Sequence, residues 1–318
     1  MTEYLPWIEK YRPHHFDSII SNEQNLTILK NMLKNGSLPH LLFHGTSGTG
    51  KTSTIMALAK QLYNNNINLM VMKLDASDDR GINSVREEIK GFAEKKNMFQ
   101  KGVKLIILDE ADSMTFDAQF ALRRIIEKYS ETTRFCLICN YENKIIPAIR
   151  SRCANFRFNP IFKNEIINTL KNIANNEKLD ISDDAIYIIA DLSNGDLRKG
   201  INFLQSISMK SNIINENLCY ETAGLPTKNE IDLIYNTLIN NNLNFNELFN
   251  ILNNIIKNNG YSLDIILKQI TLKILNDTIK NKDQLLSDLA DLENKLSKSI
   301  FMDIYLSSLI SIFIINLI

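Results

Sequence analysis

One stretch constrains this chain more than any other: Gly45-Thr46-Ser47-Gly48-Thr49-Gly50-Lys51-Thr52. It fits G-x-x-x-x-G-K-[ST], and its context fits too. The apolar run Leu41-Leu42-Phe43-His44 precedes it, and Lys51 to Tyr63 follows with helical spacing. A strand must therefore feed a glycine-rich loop that opens a helix. In that geometry the loop N–H groups converge on an anion at the positive end of the helix. Gly45, Thr46, Ser47, Gly48, Thr49 and Gly50 supply the cradle. Lys51 reaches β- and γ-phosphates, and the Thr52 hydroxyl ligates Mg²⁺. ATP is the expected ligand and Mg²⁺ the expected cofactor.

A strand feeding such a loop needs a sheet around it. Leu69 to Leu74, Leu105 to Leu108 and Arg134 to Cys139 read as further strands, alternating with helical patterns at Gly81 to about Lys95 and Phe116 to Tyr129. Alternation of this kind predicts βαβ units and a parallel sheet with helices on both faces. Leu105-Ile106-Ile107-Leu108 is apolar throughout, as a central parallel strand requires. It runs into Asp109-Glu110-Ala111-Asp112, carboxylates at the C-terminal end of a buried strand. Asp109 is expected to hold Mg²⁺ and Glu110 to act as general base on water. Asn140 follows the strand ending at Cys139 and reads either as a water-orienting amide or as a turn-former. Arg198, behind the N-cap candidate Asp196, reads either as a charge aimed at the γ-phosphate or as a solvated helix residue. Arg152 closes the α/β region, and spacing alone assigns it no role.

After Pro160 every periodic segment has helical period. The expected division is an α/β domain over 1–160, a small helical domain over 161–225 and a helical bundle over 226–318, with four helices anticipated from Lys228 onward. The 318 residues are 44% hydrophobic, enough for several cores. Lys plus Arg and Asp plus Glu both number 36, so the chain cannot hold nucleic acid through bulk positive charge. Any DNA contact must be local. Arg80 and Arg86, near the start of one helix, are the candidates, against an equal reading as a solvated face. Cys136 and Cys139 form C-x-x-C, but on a strand these positions face opposite sides and cannot easily share a metal. Nothing near Met1 reads as a signal peptide. The apolar end, Ile304 to Ile318, is short of the roughly 20 residues of a membrane span and is expected to be a buried amphipathic helix, with a short tail anchor as the alternative.

Together these pieces resemble the AAA+ ATPases, and within them the small subunits of replication factor C, the sliding-clamp loader. The resemblance runs the whole length. It is carried by Pro6-Trp7-Ile8-Glu9-Lys10-Tyr11-Arg12-Pro13, by the loop continuing through Ser53-Thr54, and by Ala76 to Gly81. It is carried also by the acidic box Asp109 to Asp112, Ser151-Arg152-Cys153 and Gly195-Asp196-Leu197-Arg198. It implies that Ser53 belongs to the nucleotide site, that Ile8 and Arg12 line an adenine pocket with Ile20 nearby, and that Asn140 and Arg198 are the first and second sensors. It implies that Arg152 is an arginine finger acting in trans on the adjacent protomer. It further implies that the last domain is a collar joining five subunits in a heteropentamer, that the ring loads the clamp PCNA onto primer–template DNA, and that the chain works in the nucleus.

Two departures stand out. Thr46-Ser47 replaces a usual Pro-Pro, and Asp75 stands where an Asn is usual. Within the same class the rival is a protein unfoldase or branch-migration motor, but Asp75 to Gly81 is acidic and lacks the aromatic an unfoldase pore loop needs. The rival from another class is an ATP-binding scaffold with little hydrolysis of its own, and the presence of both Lys51 and Glu110 argues against it.

Overall fold

The computed structural model describes residues 5–13, 15–20, 22–76, 82–95, 102–239, 244–279, 281–296 and 302–317; for 65, 82–86, 302 and 317 it describes the backbone alone. The chain divides into two compact units, Met1–Ile213 and Ile214–Ile318.

The first unit is built on five strands: β1 His40–Gly45, β2 Val71–Asp75, β3 Lys104–Asp109, β4 Thr133–Cys139 and β5 Cys153–Phe158. All pair in parallel, in the order β2-β3-β4-β1-β5. Period-two alternation sends successive side chains to opposite faces. Leu42, Ile106, Leu108, Phe135 and Leu137 pack on one side with Ile89, Leu122 and Ile126. Leu41, Phe43, Leu105, Ile107 and Ile138 pack on the other with Leu29, Ile55 and Leu58. Both faces are covered by helices, which is why the strands read as near-continuous apolar runs. Cys136 and Cys139 fall in the two opposite cores, and no cluster of three or more His, Cys, Asp or Glu side chains fit to hold a metal occurs among the described residues. Burial raises the Cys139 pKa to about 12, so the thiol is not an ionised nucleophile.

Two local expectations shift. β2 begins at Val71, opposite Leu105 of β3, and the preceding Ile67–Met70 makes a helical turn instead. The edge strand β5 is additional to the strands expected from the sequence. Its alternation is nevertheless present: Phe156 and Phe158 are buried, Asn155 and Arg157 exposed. The unit continues with helices Lys163–Asn176, Asp183–Ser193 and Leu197–Ser208. The last starts at Asp196, whose side chain accepts from Lys199 N, the cap expected of an Asp ahead of a helix.

The second unit is helical: Glu216–Ala223, Lys228–Ile239, Phe245–Asn259, Leu263–Asn276, Lys282–Leu296 and Met302–Leu317. From Lys228 onward that is one helix more than the four anticipated. Its core joins Ile234, Leu252, Ile266, Ile270, Leu289 and Phe313. In the last helix Leu306, Leu309, Ile310 and Phe313 are buried. So is Asn316, whose amide donates to Asp288 Oδ2 (2.8 Å) and to Ile312 O (3.0 Å). No helix among the described residues is long and apolar enough to cross a membrane.

Candidate functional site

The C-terminal ends of β1, β4 and β3 lie side by side, and each delivers one part of the site in the first unit. β1 ends at Gly45, where the backbone turns at φ +139° and a Cβ would stand 2.1 Å from Phe158 O on β5. Only glycine permits that approach. The loop then feeds helix Lys51–Tyr63. A cavity of about 300 Å³ opens over the loop, lined there by Ser47, Gly48, Thr49, Gly50, Lys51, Thr52 and Ser53. Gly45 and Thr46 stand behind it, their carbonyls accepting from Lys51 Nζ at 2.7 and 2.6 Å. The ammonium also donates to Asn140 Oδ1 at 3.2 Å. Lys51 is only 7% exposed, and burial pulls its pKa below the usual lysine value.

Thr52 Oγ1 donates to Asp109 Oδ2 at 3.1 Å. Two residues expected at one metal ion are thus within direct reach of each other. Lys73 approaches the same oxygen at 3.5 Å. Glu110 lines the cavity one residue further on, held in a left-handed backbone, φ +52°. Asp112 Oδ2 accepts from Asn140 N (3.2 Å) and Tyr141 N (3.1 Å), binding the end of β4 to the acidic turn after β3. Asp75 also lines the cavity, opposite Asp109 in the strand register. The departure there therefore brings a fourth carboxylate close to the three of the box, Asp109, Glu110 and Asp112.

Ile8, Arg12 and Ile20 line the same cavity, with Arg12 paired to Glu9 at 3.1 Å. The N-terminal segment is tied to the helices beyond the sheet: Tyr11 Oη donates to Glu177 Oε1 (2.5 Å), Lys10 Nζ reaches that oxygen (2.6 Å), and Trp7 N donates to Gln205 Oε1 (3.1 Å). Burial and that carboxylate raise the Tyr11 pKa. Arg198 lines the cavity from the first turn of Leu197–Ser208. Sequence reasoning missed Glu177, Gln205 and the contact of Asp196 with the loop. It missed Gln119 also, whose buried amide accepts from Ile146 N (2.8 Å) and donates to Lys144 O (2.9 Å).

Arg152 is not among the cavity residues. It lies on the surface, 2.6 Å from Glu127 Oε1, and donates to Ala148 O at 2.6 Å. Arg80 lies outside the described residues, and Arg86 belongs to helix Ile82–Glu94 with its side chain outside them.

The site fits a nucleotide: a glycine cradle at a helix N-terminus, a buried ammonium and a hydroxyl–carboxylate pair stand together. Comparison with known proteins agrees. Residues 41–161 match the ATPase family associated with various cellular activities (AAA), 168–209 the RCF1/5-like AAA+ ATPase lid domain, and 226–311 the replication factor C C-terminal domain. Human replication factor C subunit 5 is 44% identical, covering 97% of this chain and 91% of its own. Replication factor C subunit 3 of Saccharomyces cerevisiae is 42% identical over 93% of this chain and 89% of its own. Among solved structures, the Thermotoga maritima RuvB Holliday junction branch migration motor shares the fold, with a TM-score of 0.53 and 18% identity over 83% of this chain and 91% of that one. Site, family matches and near full-length identity converge: the chain belongs to the replication factor C subunits, the AAA+ ATPases of the clamp loader.

Proposed function

We propose that this chain is one ATPase member of a heteropentameric replication factor C ring, which opens the sliding clamp PCNA and loads it onto primer–template DNA in the nucleus. The observation that carries the reading is the Thr52–Asp109 pair at 3.1 Å beside the buried Lys51, in a chain whose second unit matches the replication factor C C-terminal domain. Thr52 and Asp109 are the residues that would hold Mg²⁺. The ion, when bound, neutralises charge on the β- and γ-phosphates.

The other proposed roles rest on the family resemblance, and the cavity lining is compatible with those it contains. Gly45 to Gly50 present N–H groups to the phosphates, with Ser53 in the following turn. Lys51, now bonded to carbonyls of its own loop, has a mobile four-carbon stem with which to turn toward the β- and γ-phosphates. Glu110 takes the proton of the attacking water. Asn140, already within reach of Lys51, orients that water. Arg198 faces the γ-phosphate from the helical side, while Ile8, Arg12 and Ile20 enclose the adenine. Arg152, at an exposed edge away from its own cavity, serves the neighbouring subunit's site. Arg80 and Arg86 remain the proposed DNA contacts. Phe116 and Phe120, one turn apart and 68% and 50% exposed, offer the clamp an apolar face on the helix that follows the acidic turn.

The test is clamp loading by the reconstituted complex with Lys51→Ala in this chain. Loss of ATP binding at this site, together with reduced loading of PCNA on primed DNA, is expected. ATP bound with unchanged affinity would overturn the phosphate-loop assignment.

A further inference from the structure

The Asp196 carboxylate lies against the phosphate loop, far from it in sequence. Its Oδ2 accepts from Ser47 Oγ at 2.6 Å. Its Oδ1 accepts from Lys199 N at 3.2 Å, the bond that caps helix Leu197–Ser208. In the opposite direction, Leu197 N donates to Gly48 O at 3.3 Å. Loop and helix start are thus stitched by hydrogen bonds running both ways. The fit leaves no slack, since a Cβ on Gly48 would stand 1.7 Å from Asp196 Oδ1. Asp196 is 7% exposed, so its carboxylate is largely out of water and depends on these donors.

We propose that the Ser47–Asp196 hydrogen bond is a latch that positions Arg198 over the phosphate site. The inference rests on the reading of Arg198 as the residue facing the γ-phosphate. Arg198 stands two residues beyond Asp196 in the first turn of the capped helix and lines the same cavity as Lys51. Fixing the cap to Ser47 refers the Arg198 guanidinium and the Lys51 ammonium to one piece of backbone. Releasing it lets the helix start swing away from the loop. A guanidinium displaced by an ångström still contributes to a diffuse attraction for bound ATP, but no longer meets the charge that develops during transfer. The loss belongs in kcat and not in KM. Asp196 and Ser47 act here as positioning residues.

The test uses the full chain reconstituted with its partner subunits, in complexes where this site alone is competent to hydrolyse. Ser47→Ala is expected to lower kcat about tenfold, the size of one charge-assisted hydrogen bond, with KM for ATP moving less than about threefold. Ser47→Thr, which keeps a hydroxyl, is expected to restore most of the rate. In an Arg198→Ala background, Ser47→Ala should cost nothing further. Additive losses in the double variant, a loss confined to KM, or a Ser47→Thr no better than Ser47→Ala overturns the latch. Full activity in Arg198→Ala overturns the reading beneath it. Lys51→Ala in the same complexes separates the cases: if it abolishes ATP binding while the other losses add, only the latch is wrong.

Discussion

Glu110 holds a left-handed backbone at the turn leaving β3, a conformation that a residue with a Cβ adopts at some cost. The turn sets its carboxylate at the cavity while Asp109 keeps to Thr52. Glu110→Gln is nearly isosteric, so ATP should stay bound, whereas single-turnover hydrolysis should slow by about 10² to 10⁴ for loss of a general base. Wild-type turnover would remove Glu110 from the role. The residues legible in the sequence are those whose partners are close in the chain or fixed by the turn itself: the loop glycines, Lys51 and the acidic box. Glu177, which holds Lys10 and Tyr11, was not legible, because nothing local announces a partner 166 residues away. Asp196 was legible as an N-cap and illegible as a loop contact, for the same reason. Ser47 read as a loop residue of the cradle standing in for a usual proline, and its bond to Asp196 was illegible, since its hydroxyl gains that meaning only from the oxygen it meets.

At the scale of elements, two packed edges make predictions. His40 opens β1, half-buried, its Nδ1 accepting from Phe135 N on β4 at 3.2 Å. Burial, helped by Arg134, lowers its pKa from 6.5 to about 4. The fold therefore favours neutral imidazole. The stabilisation is full above pH 6.5 and is lost as pH falls through the window down to about 4, where the unfolded chain binds a proton that the folded chain refuses. By pH 5 the loss is about 2 kcal/mol at most. Melting temperatures at pH 7 and pH 5 should diverge more for the wild type than for His40→Asn, which retains an acceptor without the titration. An equal divergence would remove His40 as the cause.

The second edge joins helix Phe116–Lys128 to the segment before β5, where Glu127 sits 2.6 Å from Arg152 and 3.2 Å from Arg123. Arg152→Ala should leave ATP binding and hydrolysis at its own site intact while slowing the neighbour's by about 10³ to 10⁵. Arg152→Lys should fail too, lacking the planar fork. Complexes with one competent site at a time distinguish the two. A slowed own site with a spared neighbour would make Arg152 a local structural residue. β5 itself shows why an edge element is hard to read. Its alternating Phe156 and Phe158 are as regular as any strand, but only those two of its six side chains are buried. A central strand announces itself with a continuous run.

For the whole molecule, the nucleotide cavity lies in the first of two compact units and the proposed collar in the second, each unit with a core of its own. A chain ending at Pro226 should therefore still fold its first unit and bind ATP, yet fail to join its partners in a pull-down. Full-affinity assembly of that fragment would end the collar assignment. The final helix adds a requirement of a different sort. Ile304 and Ile315 are exposed while Leu309 and Phe313 are buried, so oily side chains point in nearly every direction. A rod greased on all sides has many rotations of similar energy and no preferred depth. Asn316 breaks the degeneracy, because only one rotation and one depth bring its amide to Asp288 away from solvent. In the proposed ring, where each member meets a different neighbour on each side, one buried amide would keep this helix showing the same face every time.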